Sequence, residues 1–439
     1  MGRHGRFSLR AFSQRLLLAG WRRAPNWARA SIKILGLRFS RGVSFTSAVT
    51  PGLDAHDGSP PQTSRGRVVI LPIIDWEFRK QRPQHLALQL QRAGFSVTYV
   101  RKEFWMGRGS VQVDLGRGIK GLFLPGPEGL SIYRTIPAKE TVDRWLEVFR
   151  RLFPATRDGQ DICLVQWPFW ADLALALKEE LGWSLVYDCL DEYAGFPGIP
   201  AGFAPLEDRL IRGGDLILAT SEFLFEKCAA GNDRTKMLRN GVDLGEFSRE
   251  APKRRSSDPR ERAVIGYVGA ISDWFSVEII KYIAQARPDW RVVLVGLPTH
   301  PRVAELARIE NVSLLGEISY HKVPRVAAGF DVGTIPFDIN PLTRATNPVK
   351  VYEYLALGLP VVATAIPEVV RLGRLVYSAG DPESFLTQIE RALQEDSSER
   401  RGVRRGFARR HSWERVGGQL LRWLGDLPGG RLAAGSSLL

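Results

Sequence analysis

Residues 347–364 read NPVKVYEYLALGLPVVAT. This stretch predicts a short amphipathic helix, because Pro348 suits a first helical position and Gly358 suits the position just past a helix end. Residues 360–364 then read as a buried strand. A helix followed at once by a hydrophobic strand is typical of a parallel α/β sheet, so this stretch decides the fold class.

The polar residues of the same stretch indicate a ligand. Lys350 and Glu353 lie three positions apart and share one face of the predicted helix. A helix N-terminus attracts phosphate, Asn347 suits its cap, and Lys350 adds a positive charge there. Glu353 can accept hydrogen bonds from a vicinal diol such as a ribose. The helix therefore predicts a nucleotide site, the alternative being a solvated Lys–Glu pair worth only ~0.2–0.5 kcal/mol.

The stretch also resembles the donor-binding signature of the group 1 glycosyltransferases, the GT-B class that includes glycosyltransferase family 4. The resemblance covers about residues 66–415, in the order typical of that class. It implies an α/β protein with two Rossmann-like domains facing across a cleft, and an enzyme that transfers a sugar from a nucleotide-sugar donor. The other segments that carry it are WEF at 76–78, RPQHLA at 82–87, VYDCLDEY at 186–193, DLILATSE at 215–222, NGVDLGEF at 240–247 and IGYVGAISDW at 265–274.

The order of predicted elements gives the domain organisation. Strand and helix patterns alternate in two series, at either side of a charged break that contains Pro and Ser. Residues 101–135 hold several glycines and cannot be ordered from the sequence. The resemblance implies that a last helix, near 411–426, crosses back to the first domain. We expect a basic extension and linker at 1–65, an acceptor-side domain at 66–248, a hinge at 249–262, a nucleotide-sugar domain at 263–426 and a disordered tail at 427–439.

The donor contacts are implied by the resemblance. Gly266 and Gly269 end the first predicted strand of the second domain, where glycines either let amides approach a diphosphate or only serve a turn. Glu317 falls where related enzymes contact the nucleobase. We expect a UDP- or GDP-linked donor, with no further cofactor. The implied donor-binding set is Gly269, Glu317, Thr346, Asn347, Lys350 and Glu353.

Two departures from the family pattern concern the reaction. Family 4 enzymes commonly carry a pair of Glu residues, and taking Glu353 as the second puts Ala345 at the first position. The usual Arg and Lys after the first strand of the second domain are also absent, because residues 272–276 read SDWFS. Lys350 is therefore expected to carry more of the phosphate charge. Both departures leave open whether the enzyme retains or inverts configuration.

The catalytic candidates are Asp188 and Asp191. Many relatives place a His at the end of a middle strand of the first domain, whereas here that strand ends at Asp188 and Asp191 follows. A carboxylate there can deprotonate an acceptor hydroxyl, which is the inverting arrangement. The alternative is that one aspartate caps a helix and another pairs with an arginine. Asp-Cys-Leu-Asp is not an Asp-x-Asp motif, so we expect no metal site.

Three further polar residues begin the helix after the first strand. Arg82, Gln84 and His85 are therefore expected to line the cleft on the acceptor side, and Arg82 suits a phosphate or an acidic acceptor. The alternative is helix capping and surface solvation.

Charge and cysteine content indicate the surroundings. The formal net charge is +14, and residues 1–60 hold ten Arg and Lys against two Asp, a net of +8. Trp and Leu are interspersed with these cations, which predicts that residues 1–42 bind an anionic membrane surface. The alternative is a disordered basic tail. Three scattered cysteines suit a reducing cytosol.

These observations favour a glycosyltransferase of the hexosyltransferase type that builds a cell-surface polysaccharide or glycolipid. We expect it in the cytoplasm, on the inner face of the membrane, with a glycan or lipid-linked acceptor. The enzymatic alternative is a sugar-nucleotide epimerase of the same fold. The alternative of a different class is a basic nucleic-acid- or membrane-binding protein. Nucleic-acid binding is disfavoured, because the charge concentrates in the N-terminal segment and no recognised nucleic-acid motif is present.

Overall fold

A computed structural model describes residues 65–107, 109–155, 159–248 and 262–428. Two sheets with their helices form two domains, one around eight strands and one around six. This arrangement confirms the predicted fold class. The expected N-terminal extension, hinge and C-terminal tail lie almost wholly outside the described residues. Among the described residues, no helix is both long and apolar enough to cross a bilayer.

The first sheet has the spatial order β3-β4-β2-β1-β5-β6-β7-β8, and all neighbours are parallel except β3 and β4. Its strands are β1 (Gly66–Leu71), β2 (Ser96–Val100), β3 (Val111–Asp114), β4 (Ile119–Phe123), β5 (Gln160–Val165), β6 (Ser184–Cys189), β7 (Leu216–Ala219) and β8 (Thr235–Met237). The accompanying helices are α1 (Arg82–Arg92), α2 (Lys139–Leu152), α3 (Ala171–Leu181), α4 (Phe203–Gly213), α5 (Glu222–Ala229) and α6 (Leu244–Phe247).

The second sheet is wholly parallel, in the order β11-β10-β9-β12-β13-β14. Its strands are β9 (Val264–Val268), β10 (Arg291–Val295), β11 (Val312–Leu314), β12 (Val332–Ile335), β13 (Val361–Thr364) and β14 (Tyr377–Ala379). The helices are α7 (Val277–Ala286), α8 (Val303–Leu306), α9 (Val323–Ala327), α10 (Pro341–Ala345), α11 (Val349–Leu357), α12 (Pro367–Val370), α13 (Pro382–Glu395), α14 (Ser398–Arg410) and α15 (Trp413–Gly425). Single 3-10 turns cover Pro168–Trp170, Tyr193–Gly195, Tyr320–Lys322 and Gly373–Leu375.

The central strands of the first sheet are buried on both faces. Val69 and Leu71 of β1 join one apolar cluster, whereas Val68 and Ile70 join the cluster on the opposite face. A strand with helices on both sides is apolar on both faces, which is why β1 reads as a hydrophobic run from Val68 to Leu71.

Helix α15 belongs to the core of the first domain, although it ends the chain's second series. Trp413 and Leu420 pack in the same cluster as Val68 and Ile70. Gly417 permits close contact with α1, because an added Cβ would lie 2.6 Å from Cβ of Gln89. The crossing that the resemblance implied is therefore present.

A polar seam around the buried carboxylate of Glu368 joins the two domains. It is formed by Glu222, Arg239, Asn240, Asn347 and Glu368. Glu368 accepts hydrogen bonds from the Glu222 backbone (3.0 Å), from Nε of Arg239 (2.7 Å) and from Nδ2 of Asn347 (2.9 Å). The Asn240 backbone donates to Oδ1 of Asn347 (3.0 Å), and Nδ2 of Asn240 donates to the Asn347 carbonyl (2.8 Å). The seam fixes how the two sheets approach each other at this end.

Next to the seam, the short helix α10 enters the first domain. Ala345 is fully buried and belongs to an apolar cluster made mainly of first-domain side chains. Leu342 lies against Gly195, where an added Cβ would be 3.0 Å from Cβ of Leu342. Ala345, which stands where the resemblance implied a Glu, therefore occupies a packing position between the domains.

A glutamate at position 345 should lower the stability of the folded protein. Ala345→Glu is expected to destabilise the protein by ~3–5 kcal/mol, because a buried carboxylate without a partner is strongly unfavourable. The urea midpoint measures the change, and Ile339→Glu, at a nearby position that is 44% exposed, is the control with an expected effect within ~0.5 kcal/mol. An Ala345→Glu protein of unchanged stability would show that the site is not a packing position.

Candidate active site

The loop after β1 brings two cations to the second domain. Nε of Arg79 donates to Oε1 of Glu317 at 2.5 Å. Lys80 pairs with Asp243, and its ammonium lies 5.2 Å from the centre of the Tyr320 ring. The carboxyl ends of strands from both sheets therefore border one cleft, and ligands of such sheets bind at those ends.

Lys350 and Glu353 lie together on α11, as their spacing predicts. Nζ of Lys350 donates to Oε2 of Glu353 at 2.8 Å, and the two side chains are 26% and 3% exposed. The N-cap residue, Pro348, provides no side-chain hydrogen bond, and the first turn contains no acidic residue. The positive end of the helix dipole and the Lys350 ammonium therefore act at the same place.

Thr346 and Asn347, the two residues before this helix that were predicted to bind the donor, already form hydrogen bonds within the protein. Both ends of the Asn347 amide belong to the seam, and its Nδ2 also lies 3.0 Å from the Tyr352 hydroxyl. The Thr346 hydroxyl donates to the Leu342 carbonyl at 2.8 Å. A nucleotide-sugar donor could bind Asn347 only by displacing these hydrogen bonds. Joining the two domains is therefore the better supported role for Asn347.

The glycine-containing loop after β9 is closely packed. Gly266 faces the Phe330 ring, because an added Cβ would lie 2.1 Å from it, so this glycine serves packing. Gly269 donates its N–H to Val295 at 2.8 Å and lies against Gly296, where an added Cβ would be 1.6 Å from the Gly269 carbonyl oxygen.

Two polar atoms near this loop lack partners among the described residues. They are the hydroxyl of Ser272 and Oε2 of Glu317, both buried. A buried polar atom without a hydrogen bond costs free energy. These two atoms therefore mark the region as one that suits a polar ligand.

Asp188 forms a buried ion pair. Its carboxylate is fully buried and receives Nη2 of Arg82 at 2.6 Å, Nε of Arg82 at 3.0 Å and Nε2 of Gln166 at 2.9 Å. Pairing with an arginine, one of the two roles left open for this residue, is thus what the structure shows. Gln166 was missed by the sequence reasoning, and only its position at the end of β5 pointed to it.

Asp191 has a different environment in the loop after β6. It is partly buried, and burial raises the pKa of its carboxyl to about 7, although the nearby Arg82 acts in the opposite direction. The neighbouring Glu192 is held by Lys227 at 2.9 Å, and Lys227 also pairs with Glu207 at 2.9 Å. An acid that titrates near neutral pH at the edge of the first sheet has the property that a general base requires.

The three predicted acceptor-side residues lie inside the protein. Arg82 pairs with Asp188, and Nε2 of Gln84 donates to the Asp75 carbonyl at 3.1 Å. The His85 ring stacks on Trp413 with 4.6 Å between ring centres, and burial lowers the pKa of this imidazole to about 3. These residues position helix α1 and do not form an open acceptor surface. Within the described ranges, no group of three or more His, Cys, Asp or Glu side chains is arranged to hold a metal ion.

Comparison with known proteins agrees with this geometry. Residues 262–395 match the family described as Glycosyl transferases group 1. TuaH of Bacillus subtilis strain 168, a putative teichuronic acid biosynthesis glycosyltransferase, is 30% identical over 315 residues, which cover 64% of this chain and 79% of TuaH.

Solved structures show the same fold at low sequence identity. Sucrose-phosphate synthase of Thermosynechococcus elongatus has a TM-score of 0.62 and 17% identity, over 82% of this chain and 100% of that one. Anabaena HepE, in complex with UDP and glucose, has a TM-score of 0.58 and 14% identity, also over 82% of this chain and 100% of that one. The chain therefore belongs to the group 1 glycosyltransferases and has their GT-B fold.

Proposed function

We propose that this glycosyltransferase moves a hexose-type sugar from a UDP- or GDP-linked donor to a hydroxyl of a glycan or lipid-linked acceptor, in the synthesis of a cell-surface polysaccharide or glycolipid. The observation that carries the proposal is the N-terminus of α11, where Lys350 and the helix dipole act together beside the buried carboxylate of Glu353. The name of TuaH, which places that relative in teichuronic acid synthesis, and the UDP complexes of HepE support the choice of acceptor and donor classes.

In this proposal α11 holds the donor at two points. Lys350 and the first N–H groups of the helix bind the diphosphate. Glu353 accepts hydrogen bonds from the ribose hydroxyls, through the carboxylate that Lys350 holds in place. Because Glu353 is nearly fully buried, its bonds to a diol form in a low-dielectric site, where they are stronger than in water.

Asp191 serves as the general base. The acceptor oxygen forms its bond to the anomeric carbon while the bond from that carbon to the diphosphate oxygen breaks, and the bonding pair stays on the diphosphate. The acceptor's proton passes to Asp191, and configuration at the anomeric carbon is inverted. Asp188, already bound by Arg82 and Gln166, positions this edge of the sheet.

The donor assignment predicts a selective loss of diphosphate affinity. Lys350→Ala should weaken UDP or GDP binding by ~1.5–3 kcal/mol, because a charge-assisted contact is removed, and should affect nucleoside binding less. Calorimetry measures both, and Lys281→Ala, which breaks another Lys–Glu pair of the second domain, is the matched control. Unchanged UDP and GDP affinity in both Lys350→Ala and Glu353→Ala would contradict the assignment.

The base assignment predicts a pH dependence. A carboxylate must be ionised to accept a proton, so the wild-type turnover number should rise as pH increases through about 7. Asp191→Asn should lower turnover by roughly 10²–10⁴-fold and remove this rise. Asp188→Asn should mainly lower the melting temperature, because it leaves Arg82 buried without its charge partner. An α-linked product from an α-linked donor, with both variants active, would refute the inverting mechanism.

We also propose that residues 1–42, which lie outside the described residues, hold the enzyme on the anionic cytoplasmic face of the membrane. Sedimentation with vesicles should require anionic lipid and should decrease as salt is added, because surface charge attraction is screened. A protein lacking residues 1–42 is the comparison. If both proteins sediment equally, the segment is not the membrane anchor.

A further inference from the structure

The proposed diphosphate site of the second domain contains few positively charged side chains. Residues 269–276, which follow β9, read GAISDWFS and contain no Arg or Lys. Lys350, the cation proposed above, is already paired with Glu353. A leaving diphosphate develops additional negative charge as its bond to the sugar breaks, and fixed positive groups at that point accelerate such reactions.

Arg79 brings a cationic side chain of the first domain into contact with the second domain. It follows β1, yet it reaches Glu317, which lies beyond β11 of the second sheet, at 2.5 Å. Its guanidinium packs over the Phe78 ring at 4.7 Å from the ring centre. The Arg79 side chain is 24% exposed and that of Glu317 is 21% exposed, so the pair borders the cleft.

The charge of Arg79 also acts on Tyr267, the β9 residue whose hydroxyl bonds to the loop after that strand. Burial raises the pKa of the Tyr267 phenol, and the charge of Arg79 acts against this rise. The Tyr267 hydroxyl donates to the Ala270 carbonyl at 2.8 Å, and an added Cβ on Gly269 would lie 2.5 Å from that hydroxyl oxygen. Arg79 therefore acts on the same loop that contains the unpartnered Ser272 hydroxyl.

We propose that Arg79 is a catalytic residue that binds the donor diphosphate from across the cleft and stabilises the charge on the leaving phosphate. This inference rests on the proposed function. Among the described residues, Arg79 donates only through Nε, to Glu317, so Nη1 and Nη2 are available to two phosphate oxygens. Glu317 acts as a positioning residue that holds the guanidinium at the loop. Arg79 transfers no proton, and the electron pair of the broken bond stays on the phosphate oxygen that it binds.

The test compares the ratio of UDP to uridine affinity, because this ratio isolates the diphosphate from the nucleobase contact expected of Glu317. Arg79→Gln should lower the ratio by about 10- to 100-fold and should lower turnover as well. Arg79→Lys should restore part of the loss, since it keeps the charge but not the bidentate fork. Glu317→Gln removes the ion pair but keeps the cation and an acceptor oxygen for Nε, so it should lower the ratio by less than Arg79→Gln does.

Arg67→Gln is the matched control. Arg67 pairs with Asp161 at 2.5 Å, with side chains 18% and 17% exposed, at the opposite end of β1. Equal losses in Arg79→Gln and Glu317→Gln would show that Arg79 only bridges the domains, and would overturn the inference. If Lys350→Ala lowers the ratio but Arg79→Gln does not, this inference fails and the proposed function stands. A wild-type protein that binds neither UDP nor GDP would refute the proposed function itself.

Discussion

The geometry of the cleft depends on the buried carboxylate of Glu368. A charge in that position is tolerated only when hydrogen-bond donors surround it, and here the donors come from both domains. Pulling the sheets apart at this end would leave the carboxylate without Arg239 and without the Glu222 backbone. The seam therefore makes one side of the cleft rigid, and the proposed donor and acceptor edges face each other at a defined separation.

The other charged groups of the site also depend on their neighbours, and different neighbours give Asp188 and Asp191 different roles. Asp188 forms an ion pair with Arg82 and accepts a hydrogen bond from Gln166, which suits a group that holds geometry. Asp191 has only the more distant Arg82 to offset its burial, which suits a group that exchanges a proton near neutral pH. Two aspartates three positions apart thus differ in chemistry because of their neighbours.

The sequence predicts the fold better than it predicts the site, for a physical reason. Strands such as β1 and β13 are buried on both faces and read as continuous apolar runs, whereas β3 is short, alternates between partial and full exposure and lies among glycines. Lys350 and Glu353 could be recognised together because three residues separate them on one helix. The partner of Asp188 lies 106 positions away, so no local pattern reveals the Arg82 pair.

Asn347, in the stretch 347–364, also has partners that the local sequence does not reveal. Its residue type and position suit a helix cap, but Pro348 is the N-cap in the structure and the Asn347 amide bonds to Asn240 and Glu368. A tertiary partner has replaced the local one. His85 similarly begins a helix at the cleft by sequence, yet its ring stacks on Trp413, more than three hundred positions later in the chain.

The path of α15 has a consequence for synthesis on the ribosome. Trp413 and Leu420 of α15 complete one apolar face of the first sheet, so that sheet keeps part of its hydrophobic surface uncovered until α15 has been made. Most of the polypeptide, including the whole second sheet, must leave the ribosome before α15 can pack against this surface. The two domains are therefore separate in architecture, but the core of the first is complete only after the second has been synthesised.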